Sequence, residues 1–168
     1  PVEFSHSMSN SSGCKVLLKL ENLQVTGSFK ARGAVNKMSL LALENPEKII
    51  TASSGNHGSA VAYASKILEL DSLIFLPETV SSAKLSKIEQ FGTQVHIEGK
   101  DTGDTEQAAR AYALKHGYPY LSPYNDYDVI AGQGTIAAEV SQQVSGIDAV
   151  FIAVGGGGLI SGIGGYLK

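Results

Sequence analysis

Apolar and polar positions along the chain fall into two alternating rhythms. Short, nearly continuous apolar runs read as buried strands, and longer stretches with apolar residues three and four apart read as helices. On that basis residues 15–20 predict a short strand, and residues 28–43 a helix that ends before the Asn45-Pro46 breaker. Residues 48–52 predict a buried strand, 59–70 an alanine-rich helix, and 71–77 a second strand closed by its proline. Then come a helix over 82–91, a strand over 94–98, and a helix over 104–116 with an acidic first turn and Gly117 at its stop. A brief strand over 118–121, a helix over 135–144 and a buried strand over 149–154 complete the pattern, before Gly155 to Gly158 and a last apolar helix from Leu159.

Strands alternating with helices at these lengths predict an α/β protein built from parallel βαβ units, its sheet covered by helices on both faces. No repeat of 20 to 50 residues and no low-complexity tract interrupts it. Ligands of such sheets sit beyond the carboxyl ends of the strands, in the loops that open the next helix. The glycine-bearing loops after Ala52 and after Val154 are therefore where chemistry is expected.

Composition narrows the partner. The chain has 168 residues, 43% hydrophobic and 17% charged, as in an ordinary globular protein. Thirteen basic residues against sixteen acidic ones give a net charge of -3, with the signs mixed along the chain. No basic stripe points to nucleic acid and no polybasic run to a membrane surface, so a small molecule is the expected partner. The apolar runs are far too short to span a bilayer, and the start does not read as a signal peptide. Cys14 is the one cysteine; it cannot form an internal disulfide and reads as inert, which fits a reducing, cytoplasmic setting. Because the chain begins at Pro1 and stops at Lys168, in a helix just begun, both ends read as cut.

Three segments carry candidate chemistry. Gly155-Gly156-Gly157-Gly158 follows an apolar run and opens a helix, so its N–H groups can close around a phosphate that the helix dipole also favours. The plain alternative is a tight turn with close packing. It is not a Walker loop, because no Gly-Lys-Ser/Thr follows. A nominal G-x-G-x-x-A at Gly132, Gly134 and Ala137 lacks a preceding strand and a placed acidic partner, and predicts no dinucleotide site. Lys30, within Ser28-Phe29-Lys30-Ala31-Arg32-Gly33-Ala34, opens a helix. By position alone it reads as a solvated charge, but burial near a helix start would lower its pKa and free the amine to act as a nucleophile. Ser53-Ser54-Gly55-Asn56-His57-Gly58 offers hydroxyls, an amide and an imidazole at the other expected loop, or simply a helix cap. His57, His6, His96 and His116 share no metal-ligand spacing, and no metal site and no Ser-His-Asp set is expected.

Together with Val129-Ile130-Ala131-Gly132-Gln133-Gly134-Thr135 and Leu159, these strings resemble, in order and spacing across the whole chain, the fold-type II pyridoxal-phosphate (PLP) enzymes. The branch is that of threonine dehydratase, serine dehydratase and serine racemase, with a tryptophan synthase β-like fold. The resemblance implies that Lys30 carries the cofactor, that Gly155, Gly156, Gly157, Gly158 and Leu159 bind its phosphate, that Asn56 hydrogen-bonds its ring hydroxyl, and that Phe29 packs near the ring. It implies a substrate site over Ser53, Ser54, Gly55, Asn56 and His57, with Ser54 where racemases keep an acid-base group. Ser122-Pro123-Tyr124-Asn125-Asp126 is closer to the dehydratase pattern, which favours water elimination from L-threonine or L-serine to a 2-oxo acid and ammonia. Racemisation and a non-catalytic PLP- or amino-acid-binding homologue are the alternatives. The resemblance further implies a smaller domain over 52–130 inserted in a larger, incomplete PLP-binding domain over 1–51 and 131–168, a homo-oligomer (dimer or tetramer) at full length, and weak or no activity for this chain alone.

Overall fold

The computed structural model describes residues Pro1–Lys168. Strands β1 (Val2–Phe4) and β2 (Leu17–Lys19) pair antiparallel, with helix α1 (His6–Ser12) between them and one 3-10 turn, Glu21–Leu23, after them. Helix α2 (Lys30–Ala42) leads to β3 (Ile49–Ala52), α3 (Asn56–Leu68), β4 (Ser72–Leu76), α4 (Ser82–Glu89), β5 (Gln94–Ile97) and α5 (Thr102–His116). Helices α6 (Tyr127–Gln143) and α7 (Gly158–Leu167) close the chain. No helix is long and apolar enough to cross a membrane.

The expected parallel sheet is present, in the order β3-β4-β5, with Ile50 opposite Leu73 and Ile74 opposite Val95. Successive side chains point to opposite faces of a strand. Ile49, Ile74 and Leu76 accordingly join one core with Ala34, Met38, Ala60, Val61, Ala64 and Ile88, from α2, α3 and α4. Ile50 and Phe75 form another with Ala109 and Ala113 of α5. Helices thus cover both faces. The residues expected as a strand over 118–121 make only one parallel bridge, Tyr120 to Ile50, beside β3.

Two expectations are corrected. Residues 149–154 are not a strand: Phe151 is 98% exposed, and no other strand of the chain lies beside them to complete a ladder. Helix α6 begins at Tyr127 rather than 135, because Asp126 caps it with its carboxylate on the N–H groups of Asp128 and Val129. Glycines of α6 and α7 serve the packing. A Cβ on Gly132 would lie 2.6 Å from the Gly33 Cα and 2.7 Å from the Arg32 carbonyl, and one on Gly162 would collide with the Ile130 carbonyl. Bare backbone lets α2, α6 and α7 cross in contact. Finally β1 and the polar α1 carry too little apolar periodicity to be read, although Ser5 caps α1.

The α2–α6 crossing gives a direct test. Gly132→Ala forces the two helices apart, and its stability in urea should fall by about 1–3 kcal/mol; an unchanged midpoint would mean that the helices yield without cost.

Candidate active site

Four loops meet at one end of the molecule, and each arrives there for a local reason. Lys30 is the first residue of α2, so its side chain leans back toward the helix start, over the 26–29 loop. It is half-buried. Its Nζ donates to the Pro123 carbonyl at 2.6 Å and lies 5.3 Å from the Phe29 ring centroid. Burial lowers the pKa of this amine below the ordinary lysine value, because the charged form loses water. Two residues on, Arg32 bonds Glu21 at 2.8 Å and Glu139 at 2.6 Å, and Lys19 joins Glu139. That cluster pins the start of α2 to the 3-10 turn and to α6, and its two cations hold the Glu139 carboxyl down to about 2.

The second loop follows β3. Ser53 N–H continues the sheet by bonding the Phe75 carbonyl at 3.2 Å, and Ser53 Oγ accepts from Gly55 N–H at 3.2 Å. A side chain on Gly58 would collide with the Ser53 carbonyl, so the turn into α3 is tight. Asn56 begins α3 and is exposed, while Ser54 is half-buried; no hydrogen bond within the chain engages either side chain. His57 differs. Its imidazole is buried against Thr51, and loss of water, with the nearby Lys30 charge second, lowers its pKa to about 3.

The third and fourth loops touch each other. A Cβ on Gly156 would lie 2.5 Å from Tyr124 Cγ, and one on Gly158 would lie 3.1 Å from the Tyr124 Cα. Gly157 adopts φ +86°, which glycine tolerates, and caps α7 without a side chain. The first N–H groups of α7 have no partner within their own helix, and Gly155 and Gly157 beside them have open space at the Cβ position. Leu159 and Phe29 pack on the same small cluster, Ile136, Ala137 and Ile163, which ties the glycine loop to the residue before Lys30.

The structure thus brings Lys30, Phe29, the 53–57 loop and the glycine loop toward one end. Reading by motif left out the residues that join them. Pro123 and Tyr124 register in the sequence only as markers of a lineage, yet one receives the Lys30 amine and the other seats the glycines. The Asp126 cap was the available signal that an ordered segment precedes α6.

A half-buried lysine amine, joined through Pro123 and Tyr124 to a glycine turn at a helix start, lies at one end of a parallel α/β sheet. The residues fit PLP: a free amine to join its aldehyde, and N–H groups at a helix start for its phosphate. Residues 1–168 match the family described as pyridoxal-phosphate dependent enzyme, and the chain belongs to it. It is 46% identical over 154 residues to a catabolic L-threonine dehydratase, TdcB, of Staphylococcus aureus, covering 91% of this chain and 44% of that protein. The solved processed form of threonine deaminase isoform 2 from Solanum lycopersicum superposes with a TM-score of 0.96 at 39% identity, over 100% of this chain and 47% of that one. The serine racemase of Dictyostelium discoideum superposes with a TM-score of 0.91 at 37% identity, over 100% and 55%. The architecture is that of the fold-type II members, and the chain spans about half the length of the relatives it matches.

The buried His57 sets an acid limit on this end of the molecule. The unfolded imidazole takes a proton near its ordinary 6.5 and the folded one only near 3, so the unfolded state binds more protons in between. Stability should be full above pH 6.5 and fall below it, by up to about 1.4 kcal/mol per pH unit. Glu139 adds its own loss only below its ordinary 4.5. Urea unfolding followed from pH 7 to about 5 checks this; a flat profile there would show that His57 gains a partner when protonated.

Proposed function

We propose that this chain provides the cofactor lysine, phosphate loop and substrate loop of a PLP-dependent ammonia-lyase. The reaction would be loss of water from a hydroxy-amino acid such as L-threonine or L-serine, giving a 2-oxo acid and ammonia. One observation carries the reading: the Lys30 amine, its pKa lowered, is held at 2.6 Å by the same short segment that seats the glycine loop. The similarity to TdcB supports the substrate class.

When bound, PLP supplies an electron sink for charge left on the substrate α-carbon. The chain's residues do the rest. Gly155, Gly156, Gly157, Gly158 and Leu159 would hold the phosphate with N–H groups, Asn56 would bond the ring hydroxyl from its exposed place on α3, and Phe29 would pack near the ring. Within the loop of Ser53, Ser54, Gly55, Asn56 and His57, the hydroxyls and the N–H groups left at the start of α3 would take the substrate carboxylate, as suits a helix start. Lys30, its amine free, removes the α-proton at Nζ as a general base. The bond from the β-carbon to its hydroxyl would then break, the leaving hydroxide taking up that proton so that water departs, and the unsaturated amine product, once released, would take up one water and lose ammonia to give the 2-oxo acid.

A racemase reading has its own support. The Ser54 hydroxyl is free of hydrogen bonds within the chain, so it is available to return a proton to the α-carbon on the face opposite Lys30. We also propose the division into a small domain over 52–130 and a larger one over 1–51 and 131–168, with β3 at the seam, a homo-oligomeric protein, and a cytoplasmic setting.

Mixed with PLP, the chain should show a Schiff-base absorbance band at the edge of the visible range, absent in Lys30→Ala with unchanged circular dichroism. Persistence of the band in that variant would assign the cofactor to another lysine. In the longer protein that contains this chain, L-threonine and L-serine should yield 2-oxo acid. Ser54→Ala should cut formation of D-serine by about 10²-fold or more while sparing elimination; equal loss of both would remove Ser54 from the racemase reading.

A further inference from the structure

The loop after β3 enters α3 through His57, whose side chain turns away from the loop and into the protein. It is 3% exposed, and its Nε2 lies 3.2 Å from Thr51 Oγ1. Thr51 is fully buried in β3, and its hydroxyl lies 2.8 Å from the Leu121 carbonyl oxygen. A threonine hydroxyl has one proton to give and lone pairs to receive. The Leu121 oxygen can only accept, so the Thr51 proton points there. Thr51 Oγ1 is then left to accept from the imidazole, which the Leu121 backbone also approaches directly; this places the His57 proton on Nε2 and leaves Nδ1 as a buried acceptor with no partner.

Leu121 is gripped twice by β3. Its N–H donates to the Ile50 carbonyl at 2.8 Å, and its own carbonyl receives the Thr51 hydroxyl. Beyond it the main chain loses that support, because Pro123 has no N–H to give to a ladder. Yet Pro123 presents the carbonyl that receives Lys30 Nζ at 2.6 Å, and Tyr124 follows it against Gly156 and Gly158. The last side-chain anchor on β3 before these two residues is the Thr51 hydroxyl.

We propose that Thr51 and His57 are positioning residues for Lys30. The relay from His57 Nε2–H through the Thr51 hydroxyl to the Leu121 carbonyl fixes the segment 121–124. It thereby sets where the Pro123 carbonyl meets the amine and where Tyr124 seats the glycine loop. Neither side chain touches reacting atoms. The imidazole of His57 is spent inside the protein, while its backbone N–H remains at the start of α3. The assignment takes its significance from Lys30 as the cofactor lysine, but its geometry is independent of any cofactor, so it is tested on the chain alone.

Thr51→Val removes the hydroxyl with little change of shape, and Thr51→Ser retains it. The readout is reductive methylation followed peptide by peptide across pH, which reports the midpoint of each lysine, with Lys66 and Lys115 as references on other helices. In Thr51→Val the segment relaxes, water reaches the amine, and the Lys30 midpoint should rise by about one unit, the ordinary spread of lysine values in folded proteins. Thr51→Ser should match the unaltered chain. An unchanged Lys30 midpoint in a folded Thr51→Val would overturn the proposal. Should that variant not fold, nitrogen resonances of His57 in the unaltered chain decide: a proton on Nε2, kept down to about pH 5, supports the relay. A proton on Nδ1, or titration near 6.5, refutes it. Cofactor found on a different lysine would overturn the proposed function and leave this geometry standing.

Discussion

The bond from the Lys30 ammonium to the Pro123 carbonyl is the contact on which the arrangement of the site depends. It joins the first residue of a helix to a segment ninety-three positions away, in a place partly closed to water. A cation there has lost hydration, and a neutral carbonyl returns only part of what it lost. The outcome is an amine easier to deprotonate than a surface lysine. Such an amine can join a carbonyl cofactor or take a proton from carbon, and a fully solvated one does either poorly.

Both ends of that bond have to be held rigidly. On the lysine side, Arg32 locks the first turn of α2 to Glu21 and Glu139, and bare glycine backbone at Gly33 and Gly132 lets α6 lie directly on α2. On the carbonyl side, Leu121 is bound to β3 through main chain and side chain together. Tyr124 then carries the same rigidity to Gly156 and Gly158, and the packing of Phe29 and Leu159 on one cluster closes the circuit. The amine and the glycine turn are therefore set by one connected frame.

Much of this was legible in the chain of residues before any coordinates. The buried strands β3 and β4 and the helices α2 to α5 follow from periodicity, since each buries one face against a sheet that lies within the chain. The Ala149–Val154 run carries the same apolar signal and forms no strand, because periodicity records what a segment needs to bury and not whether a neighbour is present. The stretch through Gly132 and Gly134 is helical where the residue pattern predicts none, for a different reason. Helix propensity counts them as breakers, while the close approach of two other helices makes them necessary. Lys30 and the glycine loop emerged from motif and resemblance. Thr51, Pro123 and Tyr124 act through one hydroxyl, one carbonyl and one ring face, and such roles leave little trace in residue type.

One lysine, Lys30, its amine made easier to deprotonate by burial, is proposed to carry the cofactor. Borohydride reduction of the chain with PLP, followed by peptide mapping, tests this directly. The account predicts one equivalent of reduced pyridoxyl group on the peptide that contains Lys30. Label spread over the surface lysines, or concentrated on a lysine other than Lys30, would contradict it.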